Sequence, residues 1–123
     1  MNIYEFYRKI NGSYDTVHAC LQSDKLILKF IYKFLDEKSY LKLLNSINDG
    51  DYEAAFLAAH SLKGICQNLG FSELFEVTDI ITEALRGGKK PENLEDMFCN
   101  VTDRYNRTVN AILELKASIN HGV

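Results

Sequence analysis

The sequence predicts an all-α fold, an antiparallel four-helix bundle with one or two short helices packed on it at the N-terminus. Three observations lead to this prediction. The chain holds a single proline in 123 residues, so long helices can run without interruption. Its apolar residues recur every three or four positions between a few glycine-containing turns, which is the period of an amphipathic helix. No run alternates apolar and polar residues between turns, so no strand is expected.

The N-terminal half contains two short helix candidates and one longer amphipathic stretch. Residues 3–10 carry the apolar spacing of the first, and Ser13 is a suitable N-cap for the second. The stripe over residues 24–47 predicts a longer helix with a bend near residues 36–38. The Asp-Gly-Asp sequence at 49–51 predicts a glycine stop followed directly by an N-cap aspartate. Such a short connection favours antiparallel neighbours.

The C-terminal half predicts three further helices. The first covers residues 52–69 and ends at a glycine. Ser72 is expected to cap the second, which stops at the glycine pair 87–88. Pro91 is expected at the first position of the last and longest helix. Its apolar positions recur as far as Ile119.

Length and composition describe one ordinary globular domain, which we expect to span residues 1–123. A chain of this length buries enough surface to fold without disulfides or a structural metal. The formal net charge of −3 argues against a nucleic-acid ligand, because phosphate contacts need a basic surface. No segment approaches the roughly 20 apolar residues of a membrane span. No signal peptide begins the chain, so we expect a cytoplasmic protein that does not associate with membranes.

Several residues are assigned ordinary structural roles. The three cysteines are far apart and form no CxxC motif, so they predict buried free thiols in a reducing compartment rather than a disulfide framework or zinc site. Of these, Cys66 falls on a predicted core face. His18 and His121 are expected to have no role. Aromatic packing is expected for Phe30, Tyr32, Phe34 and Tyr40, and helix capping and solvation for Arg86, Lys89 and Lys90.

One histidine is predicted to lie opposite the core face of its helix. A helix turns about 100° per residue. With His60 at 0°, the core-facing positions fall between about 140° and 260°. These positions hold Ala55, Ala58, Ala59, Leu62, Ile65, Cys66 and Leu69. His60 is therefore expected to point toward solvent.

The residues expected around His60 are unusual for a solvated face. Phe56 and Leu57 are large apolar groups, of the kind that attract a partner. Lys63 lies one turn away, within reach of a group carried by the imidazole, and its charge disfavours the imidazolium. Gly64 costs about 1 kcal/mol relative to alanine within a helix and clears space beside the imidazole. The same face also holds Glu53 and Gln67. Together these residues indicate a docking surface around a nucleophilic imidazole.

The segment His60-Ser61-Leu62-Lys63-Gly64, followed by Asn68-Leu69-Gly70, resembles the signature of histidine phosphotransfer (HPt) domains. These domains are the intermediate carriers of multistep phosphorelays. Residues 49–55 resemble the family's usual entry into the histidine helix, and the resemblance extends over roughly residues 13–116. Ile65 and Cys66 are bulkier than the small residues common in the family, a departure expected to affect packing more than chemistry.

The resemblance implies a role for each residue of this face. His60 would accept a phosphoryl group from a receiver-domain aspartate or a kinase, and would pass it to the receiver aspartate of a response regulator. Lys63 would stabilise the phosphoryl charge, Gly64 would give clearance, and Gln67 would hydrogen-bond a phosphoryl oxygen or the partner. The partner-binding residues would be Glu53, Phe56 and Leu57.

The resemblance also implies what the chain lacks. The receiver domain would supply the divalent metal, so this chain needs no metal or other cofactor. It would be a monomeric phosphocarrier rather than an enzyme, served by a sensor or hybrid histidine kinase. It contains no glycine-rich nucleotide loop of a kinase and no Glu-x-x-His motif of a metal bundle. The start at Met1 and the end soon after the last helix favour a free-standing carrier.

An alternative is an HPt-like adaptor that docks receiver domains without phosphotransfer. The presence of His60, Lys63 and Gly64 argues against it, because an adaptor does not need a nucleophile.

Overall fold

A computed structural model describes residues 1–120, with Asn120 described by its backbone alone. Within this range the chain is helical and contains no strand, so the predicted all-α fold is confirmed. The helices are α1 (Ile3–Lys9), α2 (Tyr14–Leu21), α3 (Asp24–Lys33), α4 (Ser39–Asn48), α5 (Tyr52–Leu69), α6 (Ser72–Leu85) and α7 (Leu94–Asn120), with a 3-10 turn over Phe34–Asp36. His121 lies outside the described residues.

The central helix of the fold is α5, whose predicted bounds are confirmed. It packs against both α4 and α6, and α6 packs in turn against α7. Its buried residues are Ala55, Ala58, Ala59, Leu62, Cys66 and Leu69. The alanines add little bulk, so the backbones of neighbouring helices can approach α5 closely. Ile65, expected on the core face, is only half-buried.

The predicted bend near residues 36–38 is a complete break between two helices. The chain leaves α3 through the 3-10 turn, where the ring of Phe34 is buried against Phe71 and Tyr105, with centroid distances of 5.2 and 5.8 Å. Glu37 is extended, and its side-chain Oε1 accepts a hydrogen bond from the backbone nitrogen of Ser39 at 2.6 Å. Burial of Phe34 and this local hydrogen bond redirect the chain into α4.

Stacked aromatic rings join α4 to α7. The ring of Tyr40 stacks on Tyr105 with a centroid distance of 4.0 Å and on Phe98 at 5.7 Å. The hydroxyl groups of Tyr40 and Thr102 are hydrogen-bonded at 2.8 Å. The packing role expected for Tyr40 is confirmed, and its ring links α4 to α7.

Two predicted helix starts are wrong. Phe71, not Ser72, occupies the N-cap of α6 and gives no side-chain cap hydrogen bond. Its ring is buried, so core packing fixes this helix start in place of a polar cap. Pro91 lies three residues before α7, which begins at the buried Leu94 after Asn93 adopts a positive φ of 58°.

Three residues that were expected to be buried or packed are exposed. Cys66 is buried as expected, but Cys20 and Cys99 are exposed free thiols. Burial raises the pKa of the Cys66 thiol above its ordinary value. Phe30 is exposed on α3, where the Nζ of Lys33 lies 5.2 Å from its ring centroid.

None of the helices described in residues 1–120 is both long and apolar enough to cross a membrane.

The N-terminal helices are fixed to the C-terminal end of α5. The buried Tyr7 hydroxyl donates to the carbonyl of Leu69 at 2.7 Å, and the Ser13 nitrogen donates to the carbonyl of Gly70 at 2.8 Å. Gly70 ends α5 with a φ of +70°, and a Cβ there would lie 2.4 Å from the Ser13 carbonyl oxygen. Only glycine fits both the backbone conformation and the close approach.

Gly70→Ala is therefore expected to lower the free energy of unfolding by more than about 1–2 kcal/mol, which is the cost of the left-handed backbone conformation alone for an alanine. Gly50→Ala is the matched control, because Gly50 has a φ of +72° but no neighbour within 4 Å of a Cβ. Urea unfolding of both variants measures the difference. Equal losses would contradict a role for the Gly70–Ser13 contact.

Candidate functional site

His60 lies on the outer face of α5 and is exposed, which confirms the predicted orientation. The helix is well defined at both ends. Asp51 caps its start, where Oδ1 accepts a hydrogen bond from the Ala54 nitrogen at 3.1 Å, and Gly70 stops it. Because the opposite face is buried, the imidazole is held at the surface by the packing of the whole helix.

The imidazole of His60 stacks on the ring of Phe56, one turn earlier on α5. The two centroids are 5.9 Å apart and the planes differ by 9°. Phe56 is half-buried and packs against the core. A ring supported by the core in this way limits the orientations available to the exposed imidazole.

Lys63 is held by carboxylates of α6. Its Nζ lies 2.7 Å from Oδ1 of Asp79 and 3.8 Å from Oε1 of Glu83, and its side chain is 21% exposed. The sequence predicted Lys63 beside His60 but gave no partner for it. The negative charges of Asp79 and Glu83 offset the positive charge of Lys63, which was expected to act on the imidazole without compensation.

Arg86 completes the charged cluster beside His60. Its Nε and Nη2 donate to both carboxylate oxygens of Glu83 at 2.9 Å. These hydrogen bonds hold the pKa of Glu83 below its ordinary value, and the charges of Arg86 and Lys63 lower it further against the effect of burial. The Arg86 Cζ also lies 5.0 Å from the ring centroid of Phe56, a cation–π distance.

Arg86 is the C-cap residue of α6 and its side chain is 56% exposed, in keeping with the capping and solvation first assigned to it. The side chain also connects Glu83 to the ring on which His60 stacks, a contact that was not predicted. Asp79 and Glu83 were also missed by sequence reasoning. The three-residue spacing of Glu83 and Arg86 could have signalled an ion pair on one helix face. Their proximity to Phe56 and Lys63 depends on how α5 packs against α6.

Gly64 leaves open space on the outer face. Apart from its chain neighbours and the local helix backbone, no atom lies within 4 Å of the position that a Cβ would occupy. It has no positive φ that would require glycine. Gln67, two turns beyond His60, is exposed on the same face.

The expected partner-binding residues lie in different surroundings. Leu57 is 63% exposed and lines a shallow groove between α4 and α5 with Lys42 and Ser61. Glu53 is exposed, but its Cγ lies only 2.5 Å from where a Cβ on Gly88 would be. It therefore packs against the loop between α6 and α7.

Across residues 1–120, no three or more His, Cys, Asp or Glu side chains are grouped so that they could hold a metal ion.

A family model for the Hpt domain matches residues 36–119, about two thirds of the chain. The chain therefore belongs to the Hpt domain family, whose members are phosphocarriers of two-component phosphorelays without kinase activity. The match covers α4 to α7 and includes His60; α1, α2 and α3 precede it. Comparisons with curated proteins and with solved structures give no match.

We expect Gly64→Ala to raise the free energy of unfolding by about 0.5–1 kcal/mol, because alanine is the better helix former and its methyl group would meet open space. Urea unfolding followed by circular dichroism measures the change. A destabilised variant would contradict the open space that the structure shows beside His60.

Proposed function

We propose that His60 accepts a phosphoryl group from a receiver-domain aspartate, or from a sensor or hybrid histidine kinase, and passes it to the receiver aspartate of a response regulator. The observation that carries this proposal is the exposed imidazole within the His-x-Leu-Lys-Gly segment of a domain that belongs to the Hpt family. Its position on a well-packed helix supports the same role, because a phosphocarrier must present its nucleophile to more than one partner.

The chemistry needs little from this chain beyond position and charge. A nitrogen lone pair of neutral His60 attacks phosphorus, the N–P bond forms, and the P–O bond to the aspartyl carboxylate breaks as the carboxylate leaves. The reverse step transfers the group onward. Phosphoryl transfer depends mainly on alignment and electrostatic stabilisation. The receiver supplies the acidic cluster and the divalent metal, and this chain supplies no cofactor.

The neighbouring residues have complementary roles in this proposal. Lys63 stabilises the phosphoryl charge, and Gly64 leaves room for the receiver's active site beside the imidazole. Gln67 donates a hydrogen bond to a phosphoryl oxygen or to the partner. The docking contacts come from Phe56 and the exposed Leu57. Glu53 contributes at the margin near the loop between α6 and α7.

We further propose that residues 1–123 act as one monomeric unit in the cytoplasm, with α4 to α7 forming an antiparallel four-helix bundle. The short connections at residues 49–51 and 70–71 support antiparallel neighbours. The three free cysteines suit a reducing compartment.

Phosphate transfer is tested by incubating the protein with a phosphorylated receiver domain and following acid-labile label. We expect label on the wild-type chain and none on His60→Gln, because glutamine offers no comparable nucleophile. His18→Gln is the control, since His18 is also an exposed helical histidine. Wild-type labelling of His60→Gln would overturn the assignment. Receiver binding without any labelling would instead support the adaptor alternative.

The docking surface is tested with Leu57→Ser. This side chain is 63% exposed, so its replacement should leave the melting temperature nearly unchanged while weakening receiver binding about tenfold, as expected for an interface anchor. Leu113→Ser is the matched control, because it removes a leucine side chain that is 50% exposed on α7. Isothermal titration with the receiver compares the two variants, and equal affinities would place the docking surface elsewhere.

A further inference from the structure

Lys63 is engaged with two carboxylates before any phosphoryl group arrives. Asp79 is the closer partner, with 2.7 Å between Nζ and Oδ1, whereas the Glu83 oxygen lies at 3.8 Å. Both oxygens of Glu83 also accept hydrogen bonds from Arg86, so its charge is already compensated. Asp79 is therefore the principal resting partner of Lys63.

Phosphorylation of His60 would create a second acceptor for the same ammonium group. A phosphoryl group carries a charge near −2 at neutral pH, and Lys63 lies at the i+3 position, adjacent to His60 on the helix surface. The Asp79 side chain is 41% exposed. Ion pairs with this much solvent contact are weak and rearrange readily. One lysine charge is thus shared between a permanent carboxylate on α6 and a transient phosphoryl group on α5.

We propose, resting on the proposed function of His60, that Asp79 is a positioning residue that competes with the phosphoryl group for Lys63. By withdrawing Lys63 for part of the time, Asp79 shortens the lifetime of the phosphohistidine. Such competition favours onward transfer over storage of the phosphoryl group.

The experiment labels the full chain with radioactive phosphoramidate, a small donor that removes the receiver from the measurement. The phosphoryl group passes from the donor nitrogen to the imidazole nitrogen, and ammonia leaves. After the donor is removed, the half-life of the label is measured for the wild type and Asp79→Asn. Glu76→Gln is the matched control, because it removes one negative charge from an exposed position on the same helix. Circular dichroism checks that each variant is folded.

We expect Asp79→Asn to lengthen the half-life by about two- to fivefold, the range that a partly exposed ion pair allows, and Glu76→Gln to leave it unchanged. In a Lys63→Ala background, Asp79→Asn should have a much smaller effect, because the shared cation is gone. Increased salt should reduce the difference between Asp79→Asn and wild type.

The opposite results would overturn the inference. An unchanged or shorter half-life in Asp79→Asn would show that Asp79 does not compete for Lys63. An equal lengthening in Glu76→Gln, or an undiminished effect without Lys63, would show a general charge effect. A failure of the proposed function can be told apart from a failure of this inference. In that case wild type and His60→Gln would carry equal label, or neither would be labelled.

Discussion

Burial of one face of α5 between α4 and α6 is the constraint on which the rest of the structure depends. Small and apolar residues occupy that face, so the helix cannot rotate without exposing them. The position of His60 follows directly, because it lies on the opposite side of the same helix. The ends of α5 fix it along its axis, through the Asp51 cap and the contact of Gly70 with the segment that leads into α2.

The candidate site is built from two helices rather than one. α5 contributes His60 and Lys63, whereas α6 contributes Asp79 and Glu83, with Arg86 as its C-cap residue. The two cations are matched by two carboxylates, so the resting site is close to charge balance. These partly exposed ion pairs contribute little to folding stability, and for the same reason they can rearrange when charge arrives. Their position on α6 gives that helix a role in the electrostatics of His60.

Two features near His60 on α5 are unfavourable to an isolated fold. Gly64 weakens the helix without a turn or close contact that requires it, and Leu57 exposes a large apolar side chain to solvent. Departures from local folding rules are expected at functional sites. Both features support the docking surface proposed above, and the half-buried Phe56 of that surface packs against the core.

The sequence by itself determined the bounds of α5 and the outward orientation of His60, because helical periodicity and end caps are local properties. The family was indicated separately, by the resemblance of the His-x-Leu-Lys-Gly segment. Tertiary structure decided the complete break between α3 and α4, where Phe34 packs against residues far along the chain. It also placed Phe71 instead of a serine at the N-cap of α6. The partners of Lys63 and the position of Arg86 arise only when α6 packs against α5. Periodicity shows which face of a helix is buried, but it does not specify which charged side chains meet across the boundary between two helices.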